Sequence, residues 1–120
     1  MSMIKSFKDL IVWKKGMEIV KEVYSLSSKF PKEEVFSLTS QIRRAATSVP
    51  LNIAEGYARS TPKSYKSFLR ISRASVQEVE TAMLIAIMLD FLSEKDCFLL
   101  KNILEEESKM LNSLISKIKE

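Results

Sequence analysis

An all-α, antiparallel up-down-up-down four-helix bundle with a kinked second helix is the fold this 120-residue chain predicts. Three observations predict it. Glycine and proline are scarce, at 2 and 3 residues, whereas a β-rich fold needs turn residues about every ten positions. Four long stretches place apolar residues at spacings of three and four, the helical period. The connections between those stretches are short, which makes successive helices antiparallel neighbours. The length fits a single domain, and a chain of this size buries roughly two-thirds of its extended surface without needing a staple.

The first helix is expected from about Lys8 to Lys29. Leu10, Trp13, Met17, Val20, Tyr24 and Ser27 form its stripe, widened by Ile11, Val12, Ile19, Val23 and Leu26. Phe30-Pro31 ends it, because the residue before a proline is pushed out of the α region. The second helix starts near Lys32 to Phe36, with Leu38, Ile42, Ala45, Val49, Ile53 and Gly56 or Tyr57 on its apolar face. Pro50 lies inside it. A proline removes one backbone donor and clashes with the preceding turn, so a kink is expected there, or a break restarted with Thr47 or Ser48 as cap. Ala45, Ala46, Ala54, Gly56 and Ala58 are small enough to let another backbone come close.

Arg59-Ser-Thr-Pro62 marks the next boundary, since Ser60 or Thr61 can cap and Pro62 suits a first helical turn. The third helix runs from Pro62 to about Leu89 on a seam of Tyr65, Phe68, Ser72, Val76, Val79, Met83 and Ala86. All eight residues from Ala82 to Leu89 are apolar. A helix apolar all round is buried all round, and the surplus predicts a subunit interface. The fourth helix begins at Leu92-Ser93, with Ser93 and Asp96 in the spacing of a capping box. Cys97, Leu100, Leu104, Leu111, Leu114 and Ile118 keep heptad spacing, which Glu107 interrupts. Glu105, Glu106 and Glu107, with Lys101 and Lys109, read as a solvated face with i, i+4 pairs.

Composition also excludes. The chain has no histidine and one cysteine, so neither a disulfide nor a zinc site is expected, and the commonest general base is missing. Glutamate-rich bundle metal sites need Glu-x-x-His motifs, which are absent too. The only glycines, Gly16 and Gly56, build no phosphate-cradling loop. No long apolar run is free of charge, which argues against a membrane span, and the first residues lack a signal-peptide pattern. The expectation is a cytoplasmic protein that is not an enzyme and uses no cofactor or metal.

Charge is segregated. All five arginines lie between Arg43 and Arg73. From Gln41 to Ser75 there are seven basic residues and one acid, Glu55, whereas the rest of the chain has 12 lysines against 14 acids. The net charge of +4 therefore conceals a polarised molecule. Arginine makes planar, multi-donor contacts to phosphate and carboxylate, so its concentration marks a contact surface. Lys63, Lys66, Arg70 and Arg73 stand at i, i+3, i+7 and i+10, four cations along about 15 Å of one helix face. Gln77 and Glu80 continue that stripe. Such a row can track a phosphate backbone; the alternative is an ordinary solvated face. Arg44, Ser48, Asn52, Glu55 and Arg59 form a polar stripe on the second helix, either a recognition strip or a hydrogen-bonded seam that fixes register. Arg43 points roughly 100° away from Arg44.

Phe7-Lys-Asp-Leu-Ile-Val-Trp13, Leu38-Thr-Ser-Gln-Ile-Arg-Arg-Ala-Ala46, Asn52-Ile-Ala-Glu-Gly56, Ala58-Arg59, Phe68-Leu69 and Glu78-Val-Glu80-Thr81 together resemble a known family. It comprises the four-helix bundle proteins encoded in intervening sequences of bacterial 23S ribosomal RNA genes, also called S23 ribosomal proteins. The resemblance spans nearly the whole chain. It implies an antiparallel bundle assembled as a ring-like homopentamer with a basic, nucleic-acid-binding surface. A related branch, the accessory variability proteins of diversity-generating retroelements, is a basic pentamer that partners a reverse transcriptase and RNA. The chain departs from the usual pattern at Gly16, Ser37 and Leu51, the last inside the central motif.

The expected function is thus that of an oligomeric adaptor whose Arg43, Arg44, Arg59, Lys63, Lys66, Arg70 and Arg73 contact RNA or another nucleic acid. The competing reading is an assembly or protein-interaction scaffold, in which the same arginines pair with acids of neighbouring subunits or of a protein partner. Exposure of the arginines separates the two.

Overall fold

The computed structural model describes residues 4–120. Four helices account for most of it: α1 (Ile11–Ser27), α2 (Leu38–Tyr57), α3 (Pro62–Met88) and α4 (Phe98–Lys117). Each helix packs on its two cyclic neighbours, in the order α1–α2–α3–α4–α1, and the backbones of the diagonal pairs stay more than 8 Å apart between Cα atoms. Residue pairings give the directions. Along α2 and α3, Ser48 meets Ser75, Val49 meets Ser72 and Gly56 meets Tyr65 and Phe68, so numbers rise on one helix as they fall on the other. The same holds for α1 with α2 (Gly16 by Val49, Ser27 by Arg43). It holds for α1 with α4 (Lys15 by Glu106, Lys29 by Asp96) and for α3 with α4 (Lys66 by Glu120, Arg73 by Asn112). The topology is up-down-up-down.

The core follows from one buried stripe per helix. Ile19 and Val23 of α1, Ile42, Val49 and Ile53 of α2, Leu69, Val79 and Met83 of α3, and Leu100 and Leu111 of α4 are almost fully enclosed. The stripe expected on α2 is the one observed; on α3 the expected seam holds from Ser72 to Ala86, but at its start Leu69 is the buried residue and Tyr65 and Phe68 are only half-buried. On α1 the expectation needs correcting. Met17 and Tyr24 are 45% and 43% exposed, while Val12, Gly16, Ile19, Val23 and Leu26 face the core. Two apolar stripes lie side by side on this helix, and Trp13, Met17 and Val20 instead line an apolar groove against Pro50, Leu51 and Ala54 of α2.

The helix ends also move. Residues Phe7–Asp9 form a separate 3-10 turn closed by a capping box: Lys8 N donates to Ser6 Oγ at 3.1 Å and Ser6 N donates to Asp9 Oδ2 at 3.2 Å. Leu10 is extended, so α1 starts at Ile11. Backbone donors hold the exposed Asp9 carboxyl below the usual carboxylate range. A second 3-10 turn, Lys32–Glu34, precedes α2, whose first amide at Leu38 donates to Glu34 Oε1 at 3.2 Å. Ser93 and Asp96 do form the expected box, at 3.0 and 3.1 Å, but it caps a turn, and α4 begins only at Phe98. Between them, Asp90 (φ 63°) takes the left-handed position after α3, with Phe91 N donating to Ala86 O and Asp90 N to Ile87 O, a Schellman closure.

Pro50 does not break α2, which runs unbroken from Leu38 to Tyr57. Thr47 is no cap either: its hydroxyl bonds back to the carbonyls of Arg43 and Arg44 at 3.1 Å. Pro50 is buried beside Gly16, where a Cβ would lie 3.3 Å from its nitrogen. The glycine leaves room for the proline-containing turn.

The stretch from Ala82 to Leu89 is not covered by one chain. Ala82, Met83 and Ala86 are buried, but Leu84 is 55% and Met88 72% exposed.

Candidate nucleic-acid interface

The cationic row is presented by α3, whose start is fixed by Thr61 Oγ1 accepting from Ser64 N at 3.1 Å, with Pro62 in the first turn. The row does not stand alone on a free face. It borders α4. Lys63 and Arg70 are exposed. Lys66 Nζ lies 3.6 Å from Glu120 Oε2, its side chain mostly covered. Arg73 Nη1 donates to Asn112 Oδ1 at 2.9 Å, which holds the guanidinium across the seam between the two helices.

Beside this bond opens a cleft of about 400 Å³ lined by Arg70, Arg73, Ala74, Gln77, Ser108 and Asn112. Its only charged walls are the two arginines. Arg70, Arg73, Gln77 and Ser108 supply donor groups to its lining, and no carboxylate is among the lining residues. Chemically this is a place for an oxyanion such as a backbone phosphate. Asn112 and Ser108 were missed in the sequence, where nothing on α4 marked that side as facing the row.

The other three arginines lie elsewhere. Arg43 Nε donates to Ser27 Oγ at 2.8 Å, and its guanidinium stacks 4.6 Å over the Tyr24 ring, so it is half-buried on the α1–α2 seam. In the cyclic order of helices this seam is opposite the α3–α4 seam. Arg44 is exposed. Arg59, at the α2–α3 corner, stacks 4.7 Å over Phe68 and lies 3.5 Å from Glu55 Oε1. Within one chain the seven basic residues therefore do not form one surface: four line the α3–α4 side, two lie on α2 and one is at the corner.

The polar stripe of α2 divides likewise. Asn52 Nδ2 donates to Ser48 O and Oγ, both at 2.8 Å, and Ser75 Oγ to Ser48 Oγ at 2.7 Å, while Ser72 Oγ donates to the Val49 carbonyl at 2.9 Å. Ser48 and Asn52 thus belong to a hydrogen-bonded seam with α3 that fixes register, and they offer little to a ligand. Glu55 and Arg59 pair with each other.

Glu107 also corrects a reading. It is fully buried, unlike its neighbours Glu105 and Glu106. Its place in the heptad between Leu104 and Leu111 was the signal, overridden by the run of three acids. Among the described residues no group of three or more metal-ligating side chains comes together, and no helix is long and apolar enough to cross a membrane. Cys97 is buried, and burial raises its thiol above the ordinary value, with the nearby Asp96 charge adding to the effect.

Three comparisons bear on this geometry. A family model described as 23S rRNA-intervening sequence protein matches residues 8–113. No curated protein matches. A crystal structure of a protein of unknown function from the S23 ribosomal protein family of Bacteroides thetaiotaomicron superposes with a TM-score of 0.81 at 23% identity, covering 88% of this chain and 98% of the other. At that identity the likeness concerns the fold.

Proposed function

This chain belongs to the 23S rRNA-intervening sequence protein family, and from that premise and the geometry above we propose that it is a non-enzymatic, oligomeric RNA-binding bundle of the cytoplasm. The observation that carries the reading is the α3–α4 cleft, where Arg70 and Arg73 are the only charged walls. Lys63 extends the row toward the start of α3. No base-stacking aromatic lies beside it, since Tyr65 and Phe68 pack inward against Tyr57 and Arg59. Phosphate contact then supplies the affinity, with little sequence preference. One such face binds weakly; repeated around a homo-oligomer, a pentamer by resemblance, it gains by avidity.

The scaffold reading has its own support, in the exposed Leu84, Met88 and Phe98 on neighbouring α3 and α4. These residues lie farther along the same α3–α4 seam as the arginine cleft, so assembly through the apolar end and RNA contact through the arginine end divide one face between them.

Arg70→Glu with Arg73→Glu is the test. Titration against a structured RNA at two salt concentrations should show at least a tenfold loss of affinity, about 1.4 kcal/mol, together with a shallower salt slope and unchanged particle mass. Unchanged affinity and slope in an intact particle would reduce the row to a solvated face. Dissociation of the particle would place the arginines in the subunit interface.

A further inference from the structure

Glu107 is the one side chain in the described structure that breaks the rules of its surroundings. Its relative exposure is zero, and neither carboxyl oxygen has a hydrogen-bond partner. It projects from the middle of α4 toward Gly16 of α1, where a Cβ would stand 3.4 Å from Oε2 and 3.2 Å from Val49 Cγ1 of α2. An ionised carboxylate enclosed in this way, without donors, is very costly, and such a group remains protonated instead.

We propose that Glu107 makes the packing of α4 on α1 proton-dependent: the folded bundle holds the side chain as a neutral acid, and rising pH loosens that seam. The charges facing it are few. On α1, Lys15 favours the ionised form and Glu18 opposes it. Lys15 is itself shared, lying 3.3 Å from Glu18 and 3.8 Å from Glu106 of α4. On the α2 side the uncharged Val49 and Pro50 flank the same Gly16 position that Glu107 Oε2 approaches, and the α3 cations Arg70 and Arg73 line the outer cleft. Burial therefore dominates, and it pushes the Glu107 carboxyl up to about 8 from an ordinary 4.5, with Lys15 lowering it in part.

The sign is fixed by proton linkage. In the unfolded chain the carboxyl loses its proton near 4.5; in the folded chain it keeps it to about 8. Between those values the folded state binds one proton more, so stability falls as pH rises through the interval and levels off above it. The full contribution is present only below 4.5. The chain is well suited to show this, because it has no histidine. Between pH 5 and 8 the only other group that ordinarily titrates is the α-amino terminus. The depressed carboxyls Asp9 and Asp96 act at lower pH, and the raised Cys97 thiol acts at higher pH.

The experiment is urea denaturation of the wild-type protein and of Glu107→Gln at pH 5.5, 6.5, 7.5 and 8.5, at fixed protein concentration. The wild-type folding equilibrium constant should fall by up to about tenfold per pH unit below 8, while Glu107→Gln, uncharged and nearly the same shape, stays flat. A flat wild-type profile, or a variant that parallels it, would overturn the proposal. Should the variant not fold, carbon NMR of the wild-type protein labelled at its glutamate carboxyls decides. One resonance titrating near 8 supports the proposal, whereas all of them titrating near 4.5 sink it.

Discussion

Gly56→Val should lower the thermal midpoint by roughly 10 °C or more, a loss of about 3 kcal/mol. At this site α2 and α3 pack closely. A Cβ on Gly56 would stand 2.8 Å from Phe68 Cβ, 3.1 Å from Tyr65 Cδ1 and 3.2 Å from the Tyr65 carbonyl. Phe68 Cβ and the carbonyl are not flexible ends that can swing away. The helices themselves must part, which opens the Ser48–Ser75 and Ser72–Val49 bonds of the same seam. Gly56→Ala should cost less, because alanine is the better helix former by about 1 kcal/mol and part of the strain is offset. Differential scanning calorimetry of the two variants checks the order wild type, Ala, Val. A valine variant melting with the wild type would show that α2 and α3 are less tightly apposed than described.

Leu84→Glu with Met88→Glu should reduce the particle to a single 13.7 kDa chain, the largest change expected of any surface substitution. The two residues are one helical turn apart on the same exposed face of α3. Phe98 of α4, 68% exposed, lines the same pocket as Leu84. A contiguous apolar patch of this kind is characteristic of an interaction surface. Light scattering should give about five times the chain mass for the wild-type protein, as the family resemblance implies, and the chain mass for the variant. A wild-type monomer at micromolar concentration would contradict the assembly reading, and an undissociated variant would move the interface elsewhere.

What could be read from the amino-acid sequence depended on how many apolar stripes a helix offers. On α2 one stripe dominates, and on α3 the expected seam runs through the core, so Ile42, Val49, Ile53, Val76, Val79 and Met83 were placed correctly. α1 has two adjacent ones, and periodicity alone does not choose between them; the buried one contains Gly16, packed close to Pro50 and Glu107. Glu107 was misplaced because three consecutive acids look solvated, although its heptad position was sound. Helix ends failed where local caps intervene: the Ser6–Asp9 box isolates a 3-10 turn, and the Ser93–Asp96 box caps a turn ahead of α4. At the candidate site the four-cation row was legible from spacing alone. That Arg73 reaches Asn112, and that Arg43 is spent on Ser27 and Tyr24 across the opposite seam, depends on which helices are neighbours, and no spacing within one helix contains that.

The central claim is that phosphate neutralisation by the α3 row supplies the binding. The salt dependence of RNA affinity in the unmodified, assembled protein tests it most directly. The logarithm of the association constant should fall linearly with the logarithm of salt concentration, with a slope of about −3 for each row of four cations engaged. A slope near zero, or no binding to RNA even at low salt, would contradict the account.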